Sequence, residues 1–171
     1  MFHADRRIVH SRPRLGSQDV DAIDLRLVEL LRTNARLSFA ELARQVGLSA
    51  PAVHERVGKL ESSGVVRGYR AEVDPAAVGL GVTAMIGVVE ESTTDADDLQ
   101  ALLREMPEIE SCYFMAGVES FLLTVRVGTI AELERLIVRL NRTPGVASTR
   151  TAIALSAKWE NRPSPLSPPA A

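Results

Sequence analysis

Cysteine is nearly absent: one residue in 171, Cys112, which rules out a disulfide framework and a cysteine-built zinc site. Histidine is almost as scarce. His3, His10 and His54 are scattered along the chain, and a metal centre needs several such ligands at close spacing, so no metal is expected. Long apolar runs are missing too. The best candidate, Val78–Val89, is broken by glycines and Thr83, so no membrane span is expected. Met1–Leu15 is rich in arginine but has no apolar stretch of the kind a secretory signal needs, and a reducing cytoplasm is the expected setting.

What is present is ordinary globular composition, 46% hydrophobic and 25% charged, with a net charge of −2. That near-neutral total conceals a division. Residues 1–70 hold 12 Arg or Lys against 8 Asp or Glu, a net of +4, and residues 71–171 are left with −6. A basic front and an acidic back imply two regions with different partners.

The pattern along the chain supports five segments. Residues 1–18 show no periodicity and are expected to be a flexible basic arm, with Arg6, Arg7, Arg12 and Arg14 either tracking a duplex or simply solvated. Residues 19–70 carry three helical patterns. Ile23, Leu27, Leu30 and Leu31 recur on one helical face, capped by Asp19 or Asp21 and ended at Asn34. Ser38 to Glu41 is a capping box opening a second helix, whose buried face is expected to be Phe39, Leu42, Ala43 and Val46 before the turn at Gly47. Ser49 caps a third helix with Pro51 in its first turn; Val53, Val57 and Leu60 form its apolar stripe, and Gly64 stops it. Val65–Val73 reads as extended, and residues 71–81 as a strand linker or hinge. Residues 82–160 alternate strand and helix in the order β-α-β-β-α-β, a ferredoxin-like arrangement. Residues 161–171 form a proline-rich tail expected to be disordered. The fold class is α+β, with a helix-turn-helix in front.

Leu37–Ser63 meets the steric needs of a helix-turn-helix: small Ala43 for close approach, Gly47 for the turn, Val53 packing the second helix back on the first. The second helix of such a unit enters the major groove by its N-terminal end. The outward positions there are Ala50, Pro51, Ala52, Glu55, Arg56 and Lys59, with Ser38 and Ser49 at the two helix starts. Free amides at a helix start suit a phosphate. Arg56 is the expected reader of a base edge, because its fork can pair with guanine twice; the alternative is a surface ion pair with Glu55 or Glu61. Lys59, Arg67 and Arg70 are expected on phosphates. Double-stranded DNA is therefore the expected partner.

The run from Asp21-Ala22-Ile23-Asp24 through Leu42-Ala43, Val46-Gly47-Leu48-Ser49, Arg56-Val57, Leu60-Glu61 and Gly64-Val65 to Gly68-Tyr69 resembles the Lrp/AsnC (feast/famine) transcriptional regulators. Pro107-Glu108-Ile109, Gly117, Leu122-Leu123, Pro144-Gly145-Val146 and Thr149-Arg150-Thr151 extend that resemblance in the family's order, over about residues 19–160. It implies a winged helix-turn-helix in front of an effector-binding and assembly domain, hence a DNA-binding regulator; neither enzymatic activity nor a cofactor is expected. It also implies homodimers that assemble to tetramers, octamers or larger rings, and a small effector, usually an amino acid, bound between dimers.

The family's effector loop commonly reads Gly-x-x-Asp. Here it is Gly117-Val118-Glu119-Ser120, with a hydroxyl where the acid would stand. The expected effector residues are Met115, Ala116, Gly117, Val118, Glu119 and Ser120, with Thr149 and Thr151 adding hydroxyls from one face of the last strand. Strand alternation would turn Glu119 away from the face that Ser120 occupies. Two alternatives stand beside this reading. One is a constitutive DNA-binding protein with a degenerate effector site. The other is an enzyme similar to the sirohaem decarboxylases, disfavoured because no histidine follows His54.

Overall fold

Three side-chain caps set up the front of the chain. In the computed structural model, which describes residues 20–92 and 96–166, helix α1 spans Ala22–Thr33, α2 Phe39–Val46 and α3 Ala50–Ser62. Asp21 caps α1 by a reciprocal box with Asp24, and Ser38 caps α2 by one with Glu41. At α3 the Ser49 hydroxyl accepts from the Ala52 amide and Pro51 occupies the first turn, where a missing N–H breaks no helical bond. Gly47 ends α2 at φ 71°, the left-handed conformation that a residue with a Cβ resists. Leu27, Leu30, Leu31, Leu42, Ala43, Val53, Val57 and Leu60 close into one core. Phe39 is not part of it. It is 40% exposed and stacks edge-on against His54, ring centroids 4.8 Å apart, because the first residue of so short a helix projects past the helix it packs on.

The chain divides at Ala71/Glu72 and at Glu160/Asn161. The segment from Asn161 belongs with the three helices. Arg32 donates to the Ser164 carbonyl at 2.8 Å, and Pro163–Leu166 lie beside Leu30 and Leu37. The tail expected to be loose is seated as far as Leu166. Residues 64–81 hold no strand: the stretch read as extended finds no pairing partner, only a single 3-10 turn at Ala76–Val78. A wing in the sense of a paired hairpin is therefore not formed there.

The second unit, Glu72–Glu160, contains β1 (Val82–Glu90), α4 (Ala96–Arg104), β2 (Ile109–Phe114), β3 (Phe121–Val127), α5 (Ile130–Asn141) and β4 (Val146–Ala154). This is the expected βαββαβ order. The strands are all antiparallel, in the order β2-β3-β1-β4. Alternation sorts the side chains: Ala84, Ile86 and Val88 of β1 and Phe121, Leu123, Val125 and Val127 of β3 are buried with Leu99 and Leu103 of α4 and Leu133, Leu136 and Leu140 of α5. The opposite sheet face carries Met85, Gly87, Tyr113, Leu122, Arg150 and Ala152, and no helix among the described residues of the unit covers it.

Candidate functional site

Two places concentrate the expected functional residues, one in each unit. On the first, α3 presents Pro51, His54, Glu55 and Lys59 outward, while Val53, Val57 and Leu60 lock it to the core. Ser38 and Ser49 are occupied as caps, Ala50 and Ala52 are half-buried, and Arg67 and Arg70 are exposed on the chain that follows. Lys59 is paired with Glu55, Nζ to Oε1 2.7 Å, a pair in which both side chains are about 70% exposed and which water screens readily.

Arg56 is held differently from either expectation. Its Nη1 donates to Asp21 Oδ2 at 2.7 Å and to Asp24 Oδ1 at 2.8 Å, across more than thirty residues of sequence. Glu55 and Glu61 are engaged elsewhere, with Lys59 and with the Tyr69 hydroxyl (2.7 Å) respectively. Asp24 is the buried charged residue among the described residues of this unit, its side chain 11% exposed, so moving Arg56 to a base would strand a desolvated carboxylate. Arg56 is a staple between α1 and α3. The two carboxylates hold its guanidinium above its ordinary value, Asp24 contributing most, and the Asp21 carboxyl is lowered chiefly by the Asp24 amide it accepts. The arm residues Arg6, Arg7, Arg12 and Arg14 lie outside the described residues.

On the second unit a groove of about 290 Å³ opens on the uncovered sheet face. It is lined by Met85, Gly87, Met115, Ala116, Gly117, Glu119, Leu122, Arg150 and Ala152. Four of the expected effector residues, Met115, Ala116, Gly117 and Glu119, come together here. Val118 points out, 73% exposed. Ser120 closes the β2–β3 turn through its backbone: its N–H donates to Val88 O and its carbonyl accepts from Met115 N–H, both 2.8 Å.

Thr149 and Thr151 are not in the groove. They sit opposite Val88 and Ile86 in the register with β1 and share the helix-covered face with them; the Thr149 hydroxyl donates to Asn141 Oδ1 at 3.1 Å. The same alternation puts Arg150 and Ala152 on the groove side, opposite Gly87 and Met85. Glu119 also departs from expectation. It precedes β3, so strand alternation does not govern it, and its side chain lies over Gly87 and pairs with Arg150, Oε1 to Nη1 3.0 Å. A Cβ at Gly87 would fall 2.6 Å from Glu119 Cγ, so glycine is what lets that side chain lie down. Met85, Gly87, Leu122, Arg150 and Ala152 line the groove without being among the residues expected from the sequence. A glycine inside an apolar strand was the available signal, since it commonly marks a close approach.

No helix among the described residues is long and apolar enough to cross a membrane. Comparison with known proteins adds to this geometry. Residues 20–61 match the AsnC-type helix-turn-helix domain and residues 82–164 the Lrp/AsnC ligand binding domain. The HTH-type transcriptional regulator LrpA of Mycobacterium tuberculosis is 40% identical over 146 residues, 85% of this chain and 97% of LrpA. The proline dehydrogenase transcriptional activator of Rhodobacter capsulatus is 38% identical over 149 residues, again 85% of this chain and 97% of that protein. Among solved structures, the feast or famine regulatory protein from M. tuberculosis complexed with L-methionine is similar at a TM-score of 0.80 and 41% identity, over 85% of this chain and 98% of that one. With both halves matched in order by the family's two domains, the chain belongs to the Lrp/AsnC family of transcriptional regulators, with a DNA-binding and a ligand-binding domain.

Proposed function

We propose that the protein is a sequence-specific regulator whose α3 reads the major groove and whose DNA affinity responds to an amino acid or related small metabolite held in the sheet-face groove. The observation that supports this most directly is the groove itself: a glycine-floored, partly apolar recess with one carboxylate and one guanidinium, built from the loop that the family resemblance designates. L-methionine occupies a similar protein. At the duplex, Pro51, Ala52 and Glu55 face the base edges; Ser38, Ser49, Ala50, Lys59, Arg67 and Arg70 approach the backbone. Arg56 fixes the angle of α3 and does not itself read a base.

The uncovered sheet face, with Tyr113 56% and Met85 39% exposed, supports a homodimer formed by a second copy that closes over the groove, so that the effector sits at an interface between copies, and further assembly to tetramers or octamers. A dimer places two α3 helices on one duplex, in the cytoplasm, at half-sites one helical turn of about 10 base pairs apart or a multiple of it. Selection from a random duplex pool at physiological salt tests the reading. Enrichment of a two-fold symmetric site is expected, with binding shifted by at least one of the twenty amino acids; Lys59→Ala should weaken all duplexes alike and lower the salt slope by about one. A pool that emerges unenriched rejects specific DNA reading. Enrichment without any amino-acid response supports the constitutive alternative.

A further inference from the structure

The chain joins its two units twice, at Ala71/Glu72 and again at Glu160/Asn161. The second junction is held on both sides. Before it, both carboxylate oxygens of Glu160 accept from Arg126 Nη2 at 2.6 Å, and the Arg126 side chain is only 10% exposed. At the junction Asn161 turns the chain with φ 52°, a left-handed conformation that asparagine tolerates better than most residues. After it, the Ser164 carbonyl accepts from Arg32 Nη1 at 2.8 Å, and half-buried Leu166 lines a groove with Leu30 and Leu37. Only Asn161, Arg162 and Pro163 lie between the two held residues.

One exposed hydrogen bond and one leucine make a weak seat by themselves, and two things make them sufficient. Pro163 and Pro165 fix φ on either side of Ser164, so little chain entropy is lost on seating. The segment is also delivered by its own chain, at an effective concentration that a separate peptide would match only at millimolar levels.

We propose that Asn161–Leu166 is a strap that sets the bearing of the DNA-binding unit, with Leu166 as a positioning residue for operator spacing. A unit held by one connection swivels about it. Held by two, it turns only if the shorter connection yields chain or leaves its seat. The seat is built from the second half of α1, Leu37 and Gln45, and shares no residue with those proposed to meet the duplex, so the strap stays in place when DNA is bound. The hold on Glu160 is already enclosed, so a second copy on the sheet face covers it without having to open it. In a dimer, two strapped units keep their α3 helices at one separation, and preference for half-site spacing then arises at residues that touch no base.

The inference rests on the proposed dimeric reading of DNA, and its test separates the two. Full-length protein is compared with Leu166→Asp, which empties the seat, and with an insertion of about six Gly/Ser residues between Glu160 and Asn161, which keeps the seat and slackens the strap. Each is titrated by fluorescence anisotropy against three duplexes. One carries the two selected half-sites, the second has one of them moved by about five base pairs, half a helical turn, and the third holds a single half-site. The unsubstituted protein should prefer the first duplex over the second at least tenfold, and Leu166→Met should keep that preference. Leu166→Asp and the insertion should bind the two within about threefold, while all the proteins bind the single half-site within about twofold of one another. The insertion should also melt at the unchanged temperature, because a segment that only stabilises its seat is indifferent to the length of chain leading to it. If the insertion keeps the tenfold preference, or the unsubstituted protein binds both spacings alike, the strap does not set the bearing and the regulator reading stands. If no half-site can be selected, the regulator reading itself falls, and this inference with it.

Discussion

Replacing Arg56 by alanine separates two roles that look alike in DNA binding alone. The structure ties its Nη1 to Asp21 and Asp24, whose side chains are 51% and 11% exposed. The Asp21 contact is a half-solvated surface pair of the kind worth about 0.2–1 kcal/mol. Asp24 matters more. Stripping the partner from a fully buried carboxylate costs about 3–5 kcal/mol, but Arg56 is itself 32% exposed and water can enter where it stood, so about 1–2 kcal/mol is a better figure for this contact. The expected destabilisation is about 2 kcal/mol in all. For a unit this small, each kcal/mol moves the melting temperature by about 4–8 °C, so a drop of about 10 °C is expected, read by circular dichroism or urea titration. Asp24→Asn combined with Arg56→Ala should be less than additive, because either change alone breaks the same contact. On DNA, affinity should fall for all sequences together without altered base preference. A variant that melts within a degree of the parent yet loses preference at one base pair would refute the staple and restore Arg56 as a reader.

Three further outcomes follow from particular contacts. Gly47→Ala forces a Cβ into a φ of 71° in otherwise open space, so a loss of about 1 kcal/mol is expected in urea unfolding, from backbone strain alone. The Tyr69 phenol is pushed up to about 12 by desolvation and by its hydrogen bond to Glu61. Because the folded state holds this proton more tightly than the unfolded chain, whose tyrosine titrates near 10, the contribution is complete below pH 10 and is lost progressively up to pH 12. Ultraviolet titration of Glu61→Gln should show the Tyr69 transition moving down, and an unmoved transition would break the assignment. Finally, Thr149→Val and Thr151→Val should leave amino-acid affinity within about twofold, since both side chains lie on the helix-covered face; a tenfold loss would show that the register with β1 is not the one that binds ligand.

The features legible in the sequence are those whose physics is local. Asp21, Ser38 and Ser49 cap helices because a side-chain oxygen reaches amides three residues on, and that spacing is visible in the chain itself. The βαββαβ order is equally visible, because strand and helix differ in the period of their apolar positions. Arg56 shows the limit. It has acids one position before it and five after it, both within reach of an exposed side chain, and it uses neither. Its partners lie 32 and 35 residues back, where the packing of α1 on α3 brings two helix-start carboxylates to it.

The effector loop divides in the same way. The glycine at 117 and the missing acid at Ser120 could be read directly, and so could the fact that Thr149 and Thr151 share a face. Which face that is depends on the register of β4 on β1, set by how the long strands pair and twist together, and a pattern of period two is silent about its absolute sense. The sequence by itself therefore determined the caps of the first helices, the order of helix and strand along the chain and the resemblance to a family. The tertiary structure alone decided that Arg56 staples two helices, that Glu119 meets Arg150 over Gly87, and that the threonines turn inward. Caps and periods are fixed by neighbours along the chain, whereas charge pairing depends on distances in space between residues thirty or more positions apart.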